Sequence, residues 1–314
     1  MRIVRGLAEG THQIDHCSVA IGNFDGVHVG HQTLIAAASV VAHRGPLAVL
    51  TFDPHPAALL NPSFAPQLIA PLARRLDWLA GQGVEATVVQ PFDRAFAALP
   101  AAAFVDGLLR ALQPDAVTVG FDFSYGAGRA GNVETLNQQL TSAGVEARVL
   151  APVQVAGMRA SSSKVREFVM LGKMDGAALL LGRPFAVWGQ VVHGAGRGAG
   201  LGVPTLNLRT EHELLPGRGV YATWTVLPGV VAPVMSVTNV GRNPTFGDEA
   251  LHIETHLLEP TPEVYGREVE VRFVARLRDE RRFPDAASLV AQIRADITTA
   301  RQALAGACAA AGSG

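Results

Sequence analysis

Between residues 17 and 150, short apolar runs at 17–21, 47–52, 86–89, 116–120 and 147–150 alternate with stretches of helical character such as 31–43. Short continuous apolar runs bounded by turn residues fit strands covered on both faces, and their alternation with helices predicts a parallel sheet. Residues 162–181 predict a further helix, with Ser161 or Ser162 as its N-cap and a stop at Gly182-Arg183-Pro184. Beyond that stop the period changes. Short β-rich runs at 185–192, 219–226, 234–240, 252–258 and 268–277, separated by Gly and Pro, predict a small antiparallel barrel. Leu289, Ile293, Ile297 and Leu304 then recur at helical spacing, so 286–304 is expected to pack on the barrel as a helix. The expected organisation is an α/β domain over 1–183 and a β domain over 184–314.

Composition narrows the classes of partner. The 314 residues are 48% hydrophobic and 17% charged, which describes packed globular domains. A formal net charge of −1 with no extended basic run gives no electrostatic footprint for nucleic acid, so small anionic ligands are the expected partners. Cys17 and Cys308 lie far apart without metal-ligand spacing, which predicts reduced thiols and a cytoplasmic setting. Residues 1–15 lack the apolar core of a signal peptide, and charges interrupt the longer apolar runs. Neither export nor a membrane partner is therefore expected, and the oligomeric state stays open.

The densest chemistry lies where the first apolar run turns into a helix. Gly22-Asn23-Phe24-Asp25-Gly26 forms turn chemistry, and His28 and His31 flank Gly30 at the helix start. Free backbone N–H groups and the positive end of the helix dipole favour phosphate there. Residues three apart share a helical face, so both imidazoles can reach one phosphate, and Gly30 allows close approach of a nucleotide. An isolated H-x-G-H arises by chance. The strand and turn before it are what point to a triphosphate grip.

His55, in Thr51-Phe52-Asp53-Pro54-His55-Pro56, follows a second strand and reads either as a phosphate-side or adenine-side ligand or as a turn histidine. Gly126 to Gly131 formally matches G-x-G-x-x-G, but it follows a late strand and lacks the ribose-binding acid, which excludes a dinucleotide fingerprint. Asp122 just before it is a ligand or an Asx-turn residue. Ser161-Ser162-Ser163-Lys164-Val165-Arg166 opens the next helix with hydroxyls and two cations suited to a polyphosphate. In the β-rich half, Gly189-Gln190-Val191-Val192-His193-Gly194 leads into a glycine-rich loop and then Val203-Pro204-Thr205-Leu206-Asn207. No P-loop is present, so phosphate chemistry there must use other groups. Along His252-Ile253-Glu254-Thr255-His256 a strand places Glu254 on the face opposite Ile253 and Thr255.

GNFDGVHVGH, FDPHP, VGFDFSYGAGRAG and SSSKVR, in this order and spacing, resemble the adenylyltransferase module of the prokaryotic bifunctional riboflavin kinase/FAD synthetases. GQVVHG, LGVPTLN, GVYA, NVGRNPTFG, IETHLLE, VYG and LRDERRF are similar to the riboflavin kinase module of the same family. Two departures stand out. Ser163-Lys164 replaces the usual Thr-Arg, which keeps the charge but loses the guanidinium fork, and Pro-Thr-Leu-Asn replaces Pro-Thr-Ala-Asn.

The resemblance implies a Rossmann-like nucleotidyltransferase sheet followed by a kinase barrel. The implied reactions are ATP-dependent phosphorylation of riboflavin to FMN and adenylyl transfer from ATP to FMN, giving FAD and pyrophosphate. It makes His28 and His31 the groups that stabilise charge on the α-phosphate. Gly22, Asn23, Phe24, Asp25, Gly30, His55, Ser162, Ser163, Lys164 and Arg166 become nucleotide contacts in the first half, and Gly198, Gly200 and Pro204 in the second. Asp122 and Phe123 fall to the flavin, Thr205 and Asn207 to Mg²⁺ with ATP, and Glu254 to the general base for the ribityl hydroxyl. Arg267 and Arg278 read as surface charges. Three alternatives stay open: a protein that keeps one activity, the kinase being the better preserved, a non-catalytic flavin-binding regulatory descendant, and another small-molecule nucleotidyltransferase, since H-x-G-H alone does not choose the acceptor.

Overall fold

A computed structural model of the chain describes residues 1–10, 14, 16–42, 45–194, 202–242 and 251–311, without the side chains of 9, 10, 242 and 307–311. Its contacts divide the chain into two compact units, Met1–Ser162 and Ser163–Gly314.

In the first unit β1 (Arg2–Arg5), β2 (Ser18–Ile21), β3 (Leu47–Asp53), β4 (Ala86–Pro91), β5 (Ala116–Gly120) and β6 (Glu146–Leu150) form one sheet in the order β1-β4-β3-β2-β5-β6. Every pairing in it is parallel. The intervening helices are α1 (Gly6–Gly10), α2 (Val29–Ser39), α3 (Pro56–Leu60), α4 (Leu72–Gly81), α5 (Arg94–Ala97), α6 (Ala101–Leu112) and α7 (Val133–Ser142). A small hairpin, β7 (Gln154–Val155) with β8 (Met158–Arg159), follows β6.

Alternate residues of the central strands face separate clusters. Val19, Ile21, Ala48 and Leu50 pack in one, and Ala20, Leu47 and Val49 in the other. Both faces of the sheet are therefore buried, as the unbroken apolar runs require. Strand order reverses around β2, which has β3 on one side and β5 on the other. In such sheets ligands collect beyond the carboxyl ends of the strands at the reversal, where the turns after β2 and β5 lie.

In the second unit β9 (Phe185–Val192), β10 (Leu206–Arg209), β11 (Gly219–Val226), β12 (Val234–Arg242), β13 (Leu251–Leu257) and β14 (Glu268–Arg278) close into an antiparallel barrel in the order β10-β13-β12-β11-β14-β9. Part of its interior is a hydroxyl network. Thr223, Thr225, Ser236, Thr238 and Thr255 are fully buried and bond to one another at 2.7–3.0 Å. Such polar atoms are tolerated because each finds a partner.

The helix expected over 162–181 is two helices, α8 (Ser162–Met170) and α9 (Met174–Leu181). Gly172 between them has φ +71, and a Cβ there would meet Arg276 Cδ at 2.6 Å and the Tyr221 hydroxyl at 2.8 Å. The break is thus a backbone site that only glycine fills without strain. α9 buries Met174, Ala177, Leu180 and Leu181 and packs against β9 and β14. The terminal helix, α10 (Ala286–Ala311), packs on β11, β12 and β14. Arg278 is not a free surface charge. Its guanidinium makes hydrogen bonds of 2.8–3.0 Å to Asp296 on α10, which is itself buried.

Candidate active sites

The turn leaving β2 takes unusual backbone: Phe24 has φ 51, Val27 φ 38 and Gly26 φ +79. A Cβ at Gly26 would touch Ile69 at 2.9 Å, so the chain can pass there only as glycine. The turn is fastened from several directions. Asn23 O accepts from Thr51 Oγ1 at 3.1 Å and from Arg75 Nη1 at 2.7 Å, and Asp25 O accepts from Ser162 Oγ at 2.9 Å. The Asp25 carboxylate accepts the Ile69 N–H at 3.0 and 3.2 Å. Asn23 and Asp25, expected to contact nucleotide, therefore use these groups to hold the turn in place. Phe24 is fully buried, with its ring 5.1 Å from that of His31.

The turn delivers His28 as the N-cap of α2. Its Nδ1 accepts the His31 N–H at 3.3 Å, so the ring proton belongs on Nε2. The two imidazoles stack with centroids 3.7 Å apart and planes 17° from parallel. A Cβ at Gly30 would lie 3.0 Å from His28 Cε1, which explains the glycine between them. Burial, with His28 and Arg75 as lesser causes, holds the His31 pKa well below its usual 6.5. His31 is thus a neutral N–H donor, not a cation, near pH 7. His31 Nδ1 is buried with no hydrogen-bond partner among the described residues.

The other first-half candidates differ in their engagements. His55 caps α3, its Nδ1 accepting the Ala57 N–H at 3.2 Å, which realises the turn reading whatever its second nitrogen contacts. Asp122 is exposed and pairs with Arg159 at 2.7 Å, and Arg159 also lies over the Phe121 ring. Phe123 is half-buried, packs against the core and stacks on Tyr125 at 5.6 Å. Ser162 begins α8. Ser163, Lys164 and Arg166 follow on that helix in the second unit, where Lys164 pairs with Glu167 at 2.8 Å and Arg166 is buried.

In the barrel the decisive feature is register. Glu254 on β13 stands opposite Asn207 on β10 and opposite Asn239 on β12. Directly paired residues point to the same side, so a carboxylate sits between two amides on the outer face. Ile253 and Thr255 point inward and are fully buried, as the alternation predicted. Thr205 is half-buried just ahead of β10. The carbonyl of Pro204 is bonded to His256 Nδ1 at 2.8 Å, tying the Pro-Thr segment to the strand that carries Glu254. A Cβ at Gly194 would overlap the Asn207 side-chain amide. Gly198 and Gly200 lie outside the described residues, as do most of the residues of NVGRNPTFG.

Sequence reading missed three of these supports: Arg75, Asn239 and His256. Arg75 shares the apolar stripe of α4 with Leu72, Leu76 and Leu79, a periodicity that flags a charge turned inward.

A parallel sheet with an imidazole pair at its switch point and a barrel with a carboxylate between amides together define a two-module nucleotide-using protein. The FAD synthetase family model matches residues 11–164 and the riboflavin kinase model residues 181–304. The chain is 36% identical over 305 residues to the bifunctional riboflavin kinase/FMN adenylyltransferase of Pseudomonas fluorescens, covering 96% of this chain and 97% of that one. It is 35% identical over 306 residues to the protein of that name from Escherichia coli K12, with the same coverage. A crystal structure described as a macrolide-efflux protein from Streptococcus pneumoniae superposes with a TM-score of 0.87 at 30% identity, over 96% of this chain and 99% of that one. Among the described residues, no helix is long and apolar enough to cross a membrane. The chain belongs to the bifunctional riboflavin kinase/FMN adenylyltransferase family.

Proposed function

We propose that this chain phosphorylates riboflavin to FMN in its barrel and adenylylates FMN to FAD in its parallel-sheet module, using ATP in both steps. The observation that carries the reading is that each unit holds its own donor set. The first has the stacked His28–His31 pair at a helix N-terminus, and the second has Glu254 flanked in register by Asn207 and Asn239.

In the first module an FMN phosphate oxygen attacks the α-phosphorus of ATP and pyrophosphate leaves. The nucleophile is already an anion, so positioning and charge stabilisation matter more than a base. His28, with its proton on Nε2, and neutral His31 donate N–H groups to the oxygens on which charge builds. The free N–H groups of α2 add to that field. Ser162, Ser163, Lys164 and Arg166 are assigned to the nucleotide by their motif. Asp122 and Phe123 are assigned to the flavin side, and His55 to the nucleotide.

In the second module Glu254 accepts the proton of the ribityl 5′-hydroxyl as that oxygen attacks the γ-phosphate. The Thr205 hydroxyl and the Asn207 amide oxygen are hard neutral donors beside a carboxylate, a set that fits Mg²⁺. Those two residues would hold the ion, which on binding would neutralise phosphate charge. Gly198, Gly200 and Pro204 are assigned to the nucleotide. We place the functional boundary at 183/184 and the protein in the cytoplasm, in keeping with the buried thiol of Cys17, which makes no disulfide among the described residues.

Incubating the purified chain with riboflavin and Mg-ATP and resolving the flavins chromatographically tests the proposal. FMN followed by FAD is expected. FMN alone would confine the activity to the barrel, and neither product would favour a flavin-binding descendant.

A further inference from the structure

Arg75 of α4 is 2% exposed, yet it carries a full charge beneath the turn that presents His28 and His31. Nη1 donates to Asn23 O at 2.7 Å, in the turn after β2, and to Phe52 O at 3.5 Å, near the end of β3. Nη2 faces Asp53 Oδ1 at 3.6 Å. One guanidinium therefore bridges the two strand ends from which the H-x-G-H turn and the Asp-Pro-His segment depart.

Burying a charge is costly unless something compensates it, and an apolar side chain of similar size would anchor α4 without that cost. Two carboxylates act on this cation: Asp25, whose oxygens also accept the Ile69 N–H, and Asp53, which is partly solvated at 39% exposure. Arg75 Nε is buried without a partner among the described residues. His31, held well below its usual pKa by burial, is neutral near pH 7 and brings no positive charge to this floor. A cation in a low-dielectric floor keeps more of its field than one in water, and that field reaches an incoming triphosphate.

We propose that Arg75 is a positioning residue of the adenylyl-transfer site, locking the two strand-end turns together and supplying a fixed positive charge beneath them. This rests on the first module acting on ATP. Burial lowers the Arg75 pKa from its usual value, but an arginine still stays protonated at neutral pH. Its field is also one of the causes that keep His31 neutral.

Three substitutions in the full chain separate charge from bracing. Arg75→Lys keeps charge and donor, Arg75→Gln keeps a donor without charge, and Arg75→Met keeps neither. For FMN-to-FAD conversion, Arg75→Lys is expected to stay within about tenfold of wild type, while Arg75→Gln and Arg75→Met lose on the order of 10²-fold, chiefly through a raised KM for ATP. Calorimetric binding of inorganic pyrophosphate, the product of this step alone, should weaken in the same order. Riboflavin phosphorylation should be unchanged throughout, showing that the chain is intact, and thermal melts report folding of the first unit.

If Arg75→Met unfolds that unit, the lysine–glutamine pair still decides. Equal retention by Arg75→Gln and Arg75→Lys in both measurements overturns the charge role, and a wild-type-like Arg75→Met overturns the whole assignment. Should the wild type make no FAD yet bind pyrophosphate with this charge dependence, the adenylyl-transfer reading falls while the role of Arg75 in holding phosphate stands.

Discussion

The two units hold their chemistry in different ways. In the first, the reactive side chains hang from a turn of unusual backbone, and partly buried hydrogen bonds from Thr51, Arg75 and Ser162 fix its shape. In the second, strand register alone sets Glu254 between Asn207 and Asn239 on a closed barrel. A turn needs many distant anchors, whereas a closed ladder provides its own. The first site should therefore be sensitive to residues that never touch substrate, and the second mainly to the residues that do.

The largest expected effect is on the barrel side. Glu254→Gln keeps size and removes the proton acceptor, so riboflavin phosphorylation should fall by roughly 10²–10⁴-fold while FMN-to-FAD conversion continues. A wild-type kinase rate would remove Glu254 from the base role. On the sheet side, His31→Ala should cost on the order of 10²–10³ in FAD formation and leave the kinase step intact. Initial rates with FMN and with riboflavin, measured on one preparation, check both halves of that statement.

A smaller effect concerns stability. α9 packs on β9 and β14 and buries Met174, Leu180 and Leu181, so a fragment spanning 184–314 exposes apolar barrel surface that a fragment spanning 163–314 covers. Each large side chain uncovered costs about 1.5–3 kcal/mol. Chemical denaturation should find the shorter fragment less stable, with kinase activity present in both. Equal midpoints would show that α9 contributes nothing to the barrel.

The smallest effect is the pH response of the first unit. His31 has a folded pKa well below 6.5, so below about pH 6.5 the unfolded chain binds a proton that the folded chain does not. Stability on this account falls as pH drops from 7 toward 5, by at most ~1.4 kcal/mol per pH unit, and is unaffected above 7. His31→Asn should flatten that slope in melts taken across the range. An unchanged slope would mean that another group causes it.

Much of this was legible in the sequence because alternation and turn chemistry are local. The central strands, the barrel runs and the outward face of Glu254 all follow from period and punctuation. What escaped depended on partners distant in the chain. β1 reads Arg-Ile-Val-Arg, with only Val4 buried, too polar and short to announce an edge strand. β10 is four residues long and exists because β9 and β13 flank it. Arg74 and Arg75 are adjacent and identical in type, but one pairs with Asp77 near the surface while the other is buried under a turn more than fifty residues earlier. Gly172 splits a continuous helical pattern because Tyr221 and Arg276 occupy the space a side chain would need. Among the site residues, Asn23 and Asp25 were found by motif, whereas their part in holding the turn follows from Arg75, Ile69 and Ser162.

The central claim is that the two reactions belong to two separate modules divided at 183/184, joined only by free FMN. Mixing the Glu254→Gln and His31→Ala chains tests it directly. Neither variant alone should convert riboflavin to FAD efficiently, yet together with Mg-ATP they should, since one makes the FMN that the other adenylylates. If each variant retains its own half-reaction and the mixture still accumulates FMN without FAD, the two sites do not work independently and the division is wrong.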